Sequence, residues 1–206
     1  MQARSYVADE RALTELAASQ GGYFTAKQAA AIGYAAPKRT YHVHAGNWVR
    51  EQRGIFRLST QPLPARPDLV MWWLWSRNRL DRPQGVYSHQ TALSLHELTD
   101  VMPSRLHMTV PKTFRRSAAI PKGVVLHLAD LPQSDVEQID GVPVTKALRT
   151  MIDVAASGDV PLPDLQVAFA EATRTGKITR AEIADAKTDA VQRDILRRLQ
   201  GKGGKR

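Results

Sequence analysis

Lys38, Arg39, Thr40, Tyr41, His42 and His44 stand almost in succession, and Arg50, Arg53 and Arg57 follow closely. These are side chains that recognise polyanions. A guanidinium pairs bidentately with a phosphate or with the edge of guanine, while ammonium, hydroxyl and imidazole groups supply single hydrogen bonds. Thr25, Lys27 and Gln28 come just before, where a helix N-terminus would fix a phosphate with its free N–H groups. Residues 27–57 hold six basic side chains against Glu51 alone. Other chemistries find less support. His42 and His44 form an HxH pair, but residues two apart on a helix point about 200° apart and cannot chelate one ion. His89 and His96 share a helix face at a spacing of seven, with no carboxylate pattern beyond Glu97. The chain has no cysteine, so it has no thiolate ligand and no disulfide. It carries no GxxxxGK[ST], GxSxG, HExxH or dinucleotide-binding fingerprint. Asp135, Glu137, Asp140 and Asp153 are scattered and make no catalytic dyad. A binding protein is expected, not an enzyme, with no metal and no cofactor.

The elements needed to hold that basic cluster are legible around it. Ala8–Ser19 reads as a helix with Leu13 and Leu16 on one face, stopped by Gly21-Gly22. Thr25 is a good N-cap for a short helix over Ala26–Ile32, which Gly33 ends. A third helix opens at Ala35-Ala36-Pro37 and runs to about Ala45, with Pro37 in the first turn, where its missing N–H costs nothing. Trp48–Glu51 and Ile55–Leu58 read as two strands joined by Gln52-Arg53-Gly54. Three helices and a hairpin in this order make a winged helix-turn-helix, whose third helix enters the major groove while the wing meets the backbone. Lys38 and His42, four apart, share one side of a reading surface, and Val43 should face the core. Arg39 is suited to read guanine, and Arg50, Arg53 and Arg57 to hold phosphates. The competing reading is a winged helix used for protein contacts.

The charge distribution limits how far such a surface extends. The net charge is +9 over 206 residues. Residues 1–60 hold eight Lys/Arg against four Asp/Glu, and residues 61–133 hold nine against five. Residues 134–192 reverse the sign, with six against ten, and the last fourteen residues hold six against one. A basic surplus favours polyanionic partners, while the acidic stretch argues against one nucleic-acid groove along the whole chain. The N-terminus has no apolar run of signal-peptide length, and Leu69–Trp75 is too short to span a bilayer, so a cytoplasmic protein without membrane contact is expected.

Pro62, Pro64 and Pro67 mark residues 61–67 as an extended linker. The expected organisation is a winged helix-turn-helix over 1–60, a second domain over 68–200 and a basic disordered tail over 201–206. In the second domain Asp68 is expected to cap a helix to Leu80. This helix bears Trp72, Trp73 and Trp75, which are read as packing residues and not as a cofactor box or a base-stacking platform. Ser88 should cap a helix over His89–Leu98. Leu106, Met108 and Val110 alternate with His107 and Thr109 as a strand. Val124–Leu128 is another strand, and Val136–Ile139 and Val142–Val144 suggest a hairpin turning at Asp140-Gly141. Thr145 should cap a helix over Lys146–Ala156. Helices over Pro163–Thr175, from Thr179, and over Lys187–Leu199 complete an α+β fold with a small, mostly antiparallel sheet.

Two sets of residues resemble a known family. Gly22-Tyr23-Phe24-Thr25 through Ala29-Ala30, Trp48-Val49-Arg50 and Arg53-Gly54-Ile55-Phe56-Arg57 are similar to the N-terminal domain of AbiEi-type antitoxins of type IV toxin–antitoxin systems. Tyr87–Leu93, Leu106–Pro111, Arg115-Arg116, Val142–Thr145 and Leu148–Asp153 extend the likeness to residues 8–175. The resemblance implies a winged helix that binds repeats in its own promoter, so double-stranded DNA is one partner, with contacts at Lys38, Arg39, His42, Arg50 and Arg53. It also implies a C-terminal domain that opposes a nucleotidyltransferase-like toxin without a stable complex. A solitary regulator with no toxin would carry the same residues.

Overall fold

The computed structural model describes residues 6–100, 102–116, 119–186 and 189–201. The fold is α+β, and the chain divides into two compact units.

The first unit comprises the chain to Gly85, with Phe114–Arg116 and Asp140–Val142. Its helices are α1 (Tyr6–Ala18), α2 (Ala26–Ile32) and α3 (Ala36–His44). Strands β2 (Trp48–Gln52) and β3 (Ile55–Leu58) form the expected hairpin. A strand the sequence analysis did not contain, β1 (Tyr23–Thr25), pairs antiparallel with β3 and gives the sheet order β1-β3-β2. Three residues are too few to show an alternation, and all three are buried, so no period-two signal exists there. Thr25 and Gln28 form a full capping box at the start of α2. Leu13, Ala17, Phe24, Ala29, Tyr34, Trp48, Phe56 and Leu58 make the core, with Phe24 edge-on to Trp48 at 4.8 Å.

Helix α4 (Pro67–Trp75) packs on β1 and β3, so residues 68–85, expected beyond a linker, group with the winged helix. It stops at Trp75, not Leu80. Ser76 Oγ donates to Trp73 O (2.6 Å) and accepts from the N–H groups of Gln84 and Gly85 (3.1 and 2.8 Å), which turns the chain back. Asp68 does not cap this helix: Arg66 occupies the N-cap position and pairs with the Asp68 carboxylate at 3.2 Å. Trp75 is buried in this unit beside Phe114, while Trp72 and Trp73 are half-buried.

The second unit holds β4 (Val86–Tyr87), α5 (His89–Leu95), β5 (Leu106–Val110), β6 (Val124–Leu128), β7 (Val136–Ile139) and most of β8 (Val142–Thr145). Helices α6 (Ala147–Ser157), α7 (Leu162–Arg174), α8 (Arg180–Ala186) and α9 (Ala190–Leu199) follow. The sheet order is β6-β5-β4-β8-β7, and the sheet is mixed instead of mostly antiparallel. β5 pairs parallel with β6 and β4 parallel with β8, while β4 and β5 are antiparallel. Residues 111–123 are long enough for the crossover that a parallel β5–β6 pair requires. β5 is buried at all five positions, so His107 and Thr109 do not face solvent as their alternation suggested. Thr109 Oγ1 donates to Ser88 Oγ (2.8 Å), and the His107 N–H is accepted by Thr91 Oγ1 (2.8 Å).

Ser88 therefore occupies the N-cap position of α5 without a side-chain cap bond, and α5 ends at Leu95 with His96 beyond it. Thr145 is likewise no cap, since its hydroxyl shares a hydrogen bond with Thr150 Oγ1 (2.7 Å) and Lys146 takes the N-cap position of α6. Thr179 does open α8, accepting from Glu182 N (3.2 Å). Asp189 caps α9, and the expected start at Lys187 lies outside the described residues, as does the tail over 202–206. The core of this unit is built by α6, α7 and α9 around Met151, Leu165, Phe169 and Leu196.

Candidate nucleic-acid interface

The structure separates the basic cluster into side chains that are exposed and side chains that are used internally. On α3, Lys38, Thr40, Tyr41 and His44 are exposed, Tyr41 at 66%. Lys38 leans back toward Gly33 O (3.3 Å) and the Tyr34 ring (5.9 Å), and Thr40 Oγ1 donates to Ala36 O (3.2 Å). Arg39 is half-buried, with Nη1 donating to Tyr34 O at 2.8 Å. On the hairpin, Arg50 and Arg53 are exposed. Arg39, Thr40, His44 and Arg50 line one concavity of about 310 Å³ between α3 and the hairpin, floored by Val43 and Phe56. A basic helix face beside a basic hairpin is an arrangement that can engage a phosphate backbone while presenting side chains to base edges.

Four of the expected contact residues are engaged internally. His42 is 7% exposed and stacks on Trp48 with ring centroids 4.8 Å apart, while its Nδ1 meets Asn47 Nδ2 at 3.1 Å. Burial, reinforced by Lys38 and opposed by Glu10, holds its pKa below the ordinary histidine value. It is a core residue and does not share a reading surface with Lys38. Arg57 is half-buried in an ion pair with Glu51 (2.9 Å). Thr25 is fully buried: besides capping α2, its hydroxyl donates to the Asp81 carboxylate. Gln28 is held by Thr25 N (2.7 Å) and Gln20 (3.0 Å). Lys27 is exposed, and its Nζ donates to Arg79 O at 2.6 Å.

That last group reveals a support the sequence analysis missed. Arg77 Nε lies 2.9 Å from Asp81 Oδ1, and Arg77 Nη2 donates to the carbonyl of Gly54 in the hairpin turn at 3.3 Å. Gly54 has φ +76°, a backbone that favours glycine, and a Cβ there would stand 2.9 Å from the end of the Arg77 side chain. Arg116 Nη1 donates to Arg77 O (3.0 Å) while its guanidinium lies 4.7 Å from the Trp75 ring. Burial lowers the pKa of Arg77, and Asp81 opposes it; burial and then Arg77 lower that of Arg116. The loop after α4 thus ties the start of α2, through Thr25 and Asp81, to the turn of the hairpin. In the sequence the pair is an Arg–Asp spacing of four at the end of the helix expected over Asp68–Leu80, which stops at Trp75.

The first unit can now be set beside known proteins. Residues 11–59 match the family described as transcriptional regulator, AbiEi antitoxin. The matched stretch spans most of α1 through β3, the elements that carry the exposed basic residues. No curated protein matches the chain. Among solved structures the RV2827C protein from Mycobacterium tuberculosis is similar, with a TM-score of 0.59 and 14% identity, covering 99% of this chain and 80% of that one. At that identity the likeness is one of fold.

The second unit has a histidine cluster of its own. His89 stacks on His127 with centroids 3.5 Å apart, and His107 Nδ1 meets His127 Nε2 at 3.1 Å. Burial, then His127 and His107, push the pKa of His89 down to about 3, and burial lowers those of His107 and His127. Among the described residues, no group of three or more His, Asp or Glu is placed to hold a metal ion. His96, expected to share a helix face with His89, is instead buried with Nε2 2.7 Å from Thr145 O. No described helix is long and apolar enough to cross a membrane.

Proposed function

We propose that the chain is a cytoplasmic DNA-binding repressor and antitoxin of a type IV system, without enzymatic activity. Its winged helix binds repeats in its own promoter, and its second unit opposes a nucleotidyltransferase-like toxin without a stable complex. The observation that carries the DNA half is the exposed polar and basic set, Lys38, Thr40 and His44 on α3 with Arg50 and Arg53 on the hairpin, beside half-buried Arg39. The regulator family matched over residues 11–59 supports the same half. The toxin half rests on the resemblance of residues 87–153.

Arg39 and Arg53 are the test. Converting both to alanine removes a base-edge candidate and a phosphate candidate; the Arg39 change also removes the bond to the carbonyl of core residue Tyr34, so a thermal melt of the variant accompanies the titration. The double variant is expected to lose specific binding to the upstream DNA, roughly 10-fold or more per lost bidentate contact. Unchanged binding contradicts the reading. It would favour a protein-interaction winged helix, a second reading that draws on the internal engagement of His42 and Arg57.

A further inference from the structure

The second unit carries an open groove of about 620 Å³ between α5 and the start of α7. Its apolar lining is the outer edge of the core, Leu93, Leu98, Leu165 and Ala168, each 2–8% exposed, with Val167 beside them. Val167 is 71% exposed and stands on the groove's open side. The rim is acidic and lacks a basic lining residue. Glu97 is offset by Lys177 (3.4 Å) and Glu171 by Arg174 (2.6 Å). Asp100, Asp159 and Asp164 are exposed and have no ion pair among the described residues. On α7, Asp164, Val167, Ala168 and Glu171 fall at i, i+3, i+4 and i+7, so one helix face supplies both floor and rim.

We propose that this groove docks a basic amphipathic helix of a protein partner. An apolar trough walled by two helices accepts the ridge of a third, with apolar anchors at helical spacing. Three unpaired carboxylates at the rim select lysine or arginine on the flanks of that ridge and disfavour acidic helices. The chain's own Lys202, Lys205 and Arg206 would match the rim but bring no apolar side chain to the floor. The inference goes beyond the regulatory reading, since it needs neither a promoter nor a toxin.

The probe is a fluorescein-labelled designed peptide of about 18 residues, long enough to hold a helix, with leucine at helical spacing and lysine on both flanks. Two analogues carry glutamate for lysine, or serine for leucine. Titrated with the full chain, the Leu/Lys peptide is expected to bind at least about 10-fold tighter than either analogue. Val167→Glu and Asp100→Lys, both at exposed positions, should each weaken it about 10-fold while leaving the melting temperature and DNA binding unchanged. No measurable binding, equal binding of the serine analogue, or variants that bind as well as the parent would overturn the proposal. A chain ending at Gly201 that binds the peptide about 10-fold tighter would also overturn it, by making the basic tail the occupant.

Discussion

Gly33 has no room for a side chain. Its φ of +128° is a backbone that L-residues rarely adopt, and a Cβ there would stand 2.6 Å from Asp9 Oδ2 on α1. Gly33→Ala is expected to destabilise the protein by about 2 kcal/mol, read as a fall of a few degrees in the thermal midpoint. An unchanged midpoint would refute the packing assigned to the α2–α3 turn. The two wing arginines should also part company. Arg53→Ala removes a free cation and should lower the salt slope of DNA binding by about one charge. Arg57→Ala removes one already paired with Glu51 and should move it much less. Equal slopes for both variants would contradict that division. Residue types suggest a polyanion-binding surface, but they do not say which members of the cluster are exposed. His42 and His44 look alike in sequence; one is sealed against Trp48 and the other is exposed, because the helix phase is fixed by where Trp48 and Tyr34 pack.

Elements were legible wherever a local signal marks them. The Thr25 capping box, the glycine stop at Gly33 and the Asp140-Gly141 turn each act within a few residues, and each lies where the sequence places it. What failed was hydroxyl chemistry directed past the expected cap, to partners 5 and 21 residues away. Ser88 and Thr145 look like caps but spend their hydroxyls on Thr109 and Thr150. The Arg77–Asp81 support is of the same kind, since its partners Gly54 and Thr25 lie 23 and 56 residues away from it in sequence. Both side chains of that pair are largely buried, so Asp81→Asn should cost about 3 kcal/mol by leaving Arg77 without its counter-charge. Thermal melts would show it, and a cost near zero would mean the loop does not brace the wing.

The histidine cluster makes a second prediction for the elements it joins. His89 stays neutral in the fold down to about pH 3, whereas an unfolded histidine takes up its proton near 6.5. Below about pH 6.5 the unfolded chain therefore binds more protons. Stability is full above that pH and falls as the pH drops toward 3. His107 and His127, lowered in the same direction, add to the loss. His89 has φ +52°, which asparagine tolerates, so His89→Asn should melt with a smaller difference between pH 7.5 and pH 5 than the parent. The same difference in both proteins would refute the role given to this imidazole.

For the whole molecule, charge and fold class were more legible than topology. The sign change at residue 134 falls inside the second unit, ahead of α7, which supplies Asp164 and Glu171 to the acidic groove. The α+β class followed from local patterns. The parallel β5–β6 and β4–β8 pairs did not, because strand direction is decided by crossovers that leave no period in the sequence. The central claim is that the first unit reads DNA. Its most direct test is a fluorescence-polarisation titration of the full chain with its own upstream DNA and with a scrambled duplex, at two salt concentrations. The account predicts tight binding that prefers the upstream duplex and weakens steeply with salt, as counterions held by phosphates are released. Equal, feeble binding to both duplexes, with little dependence on salt, would contradict it.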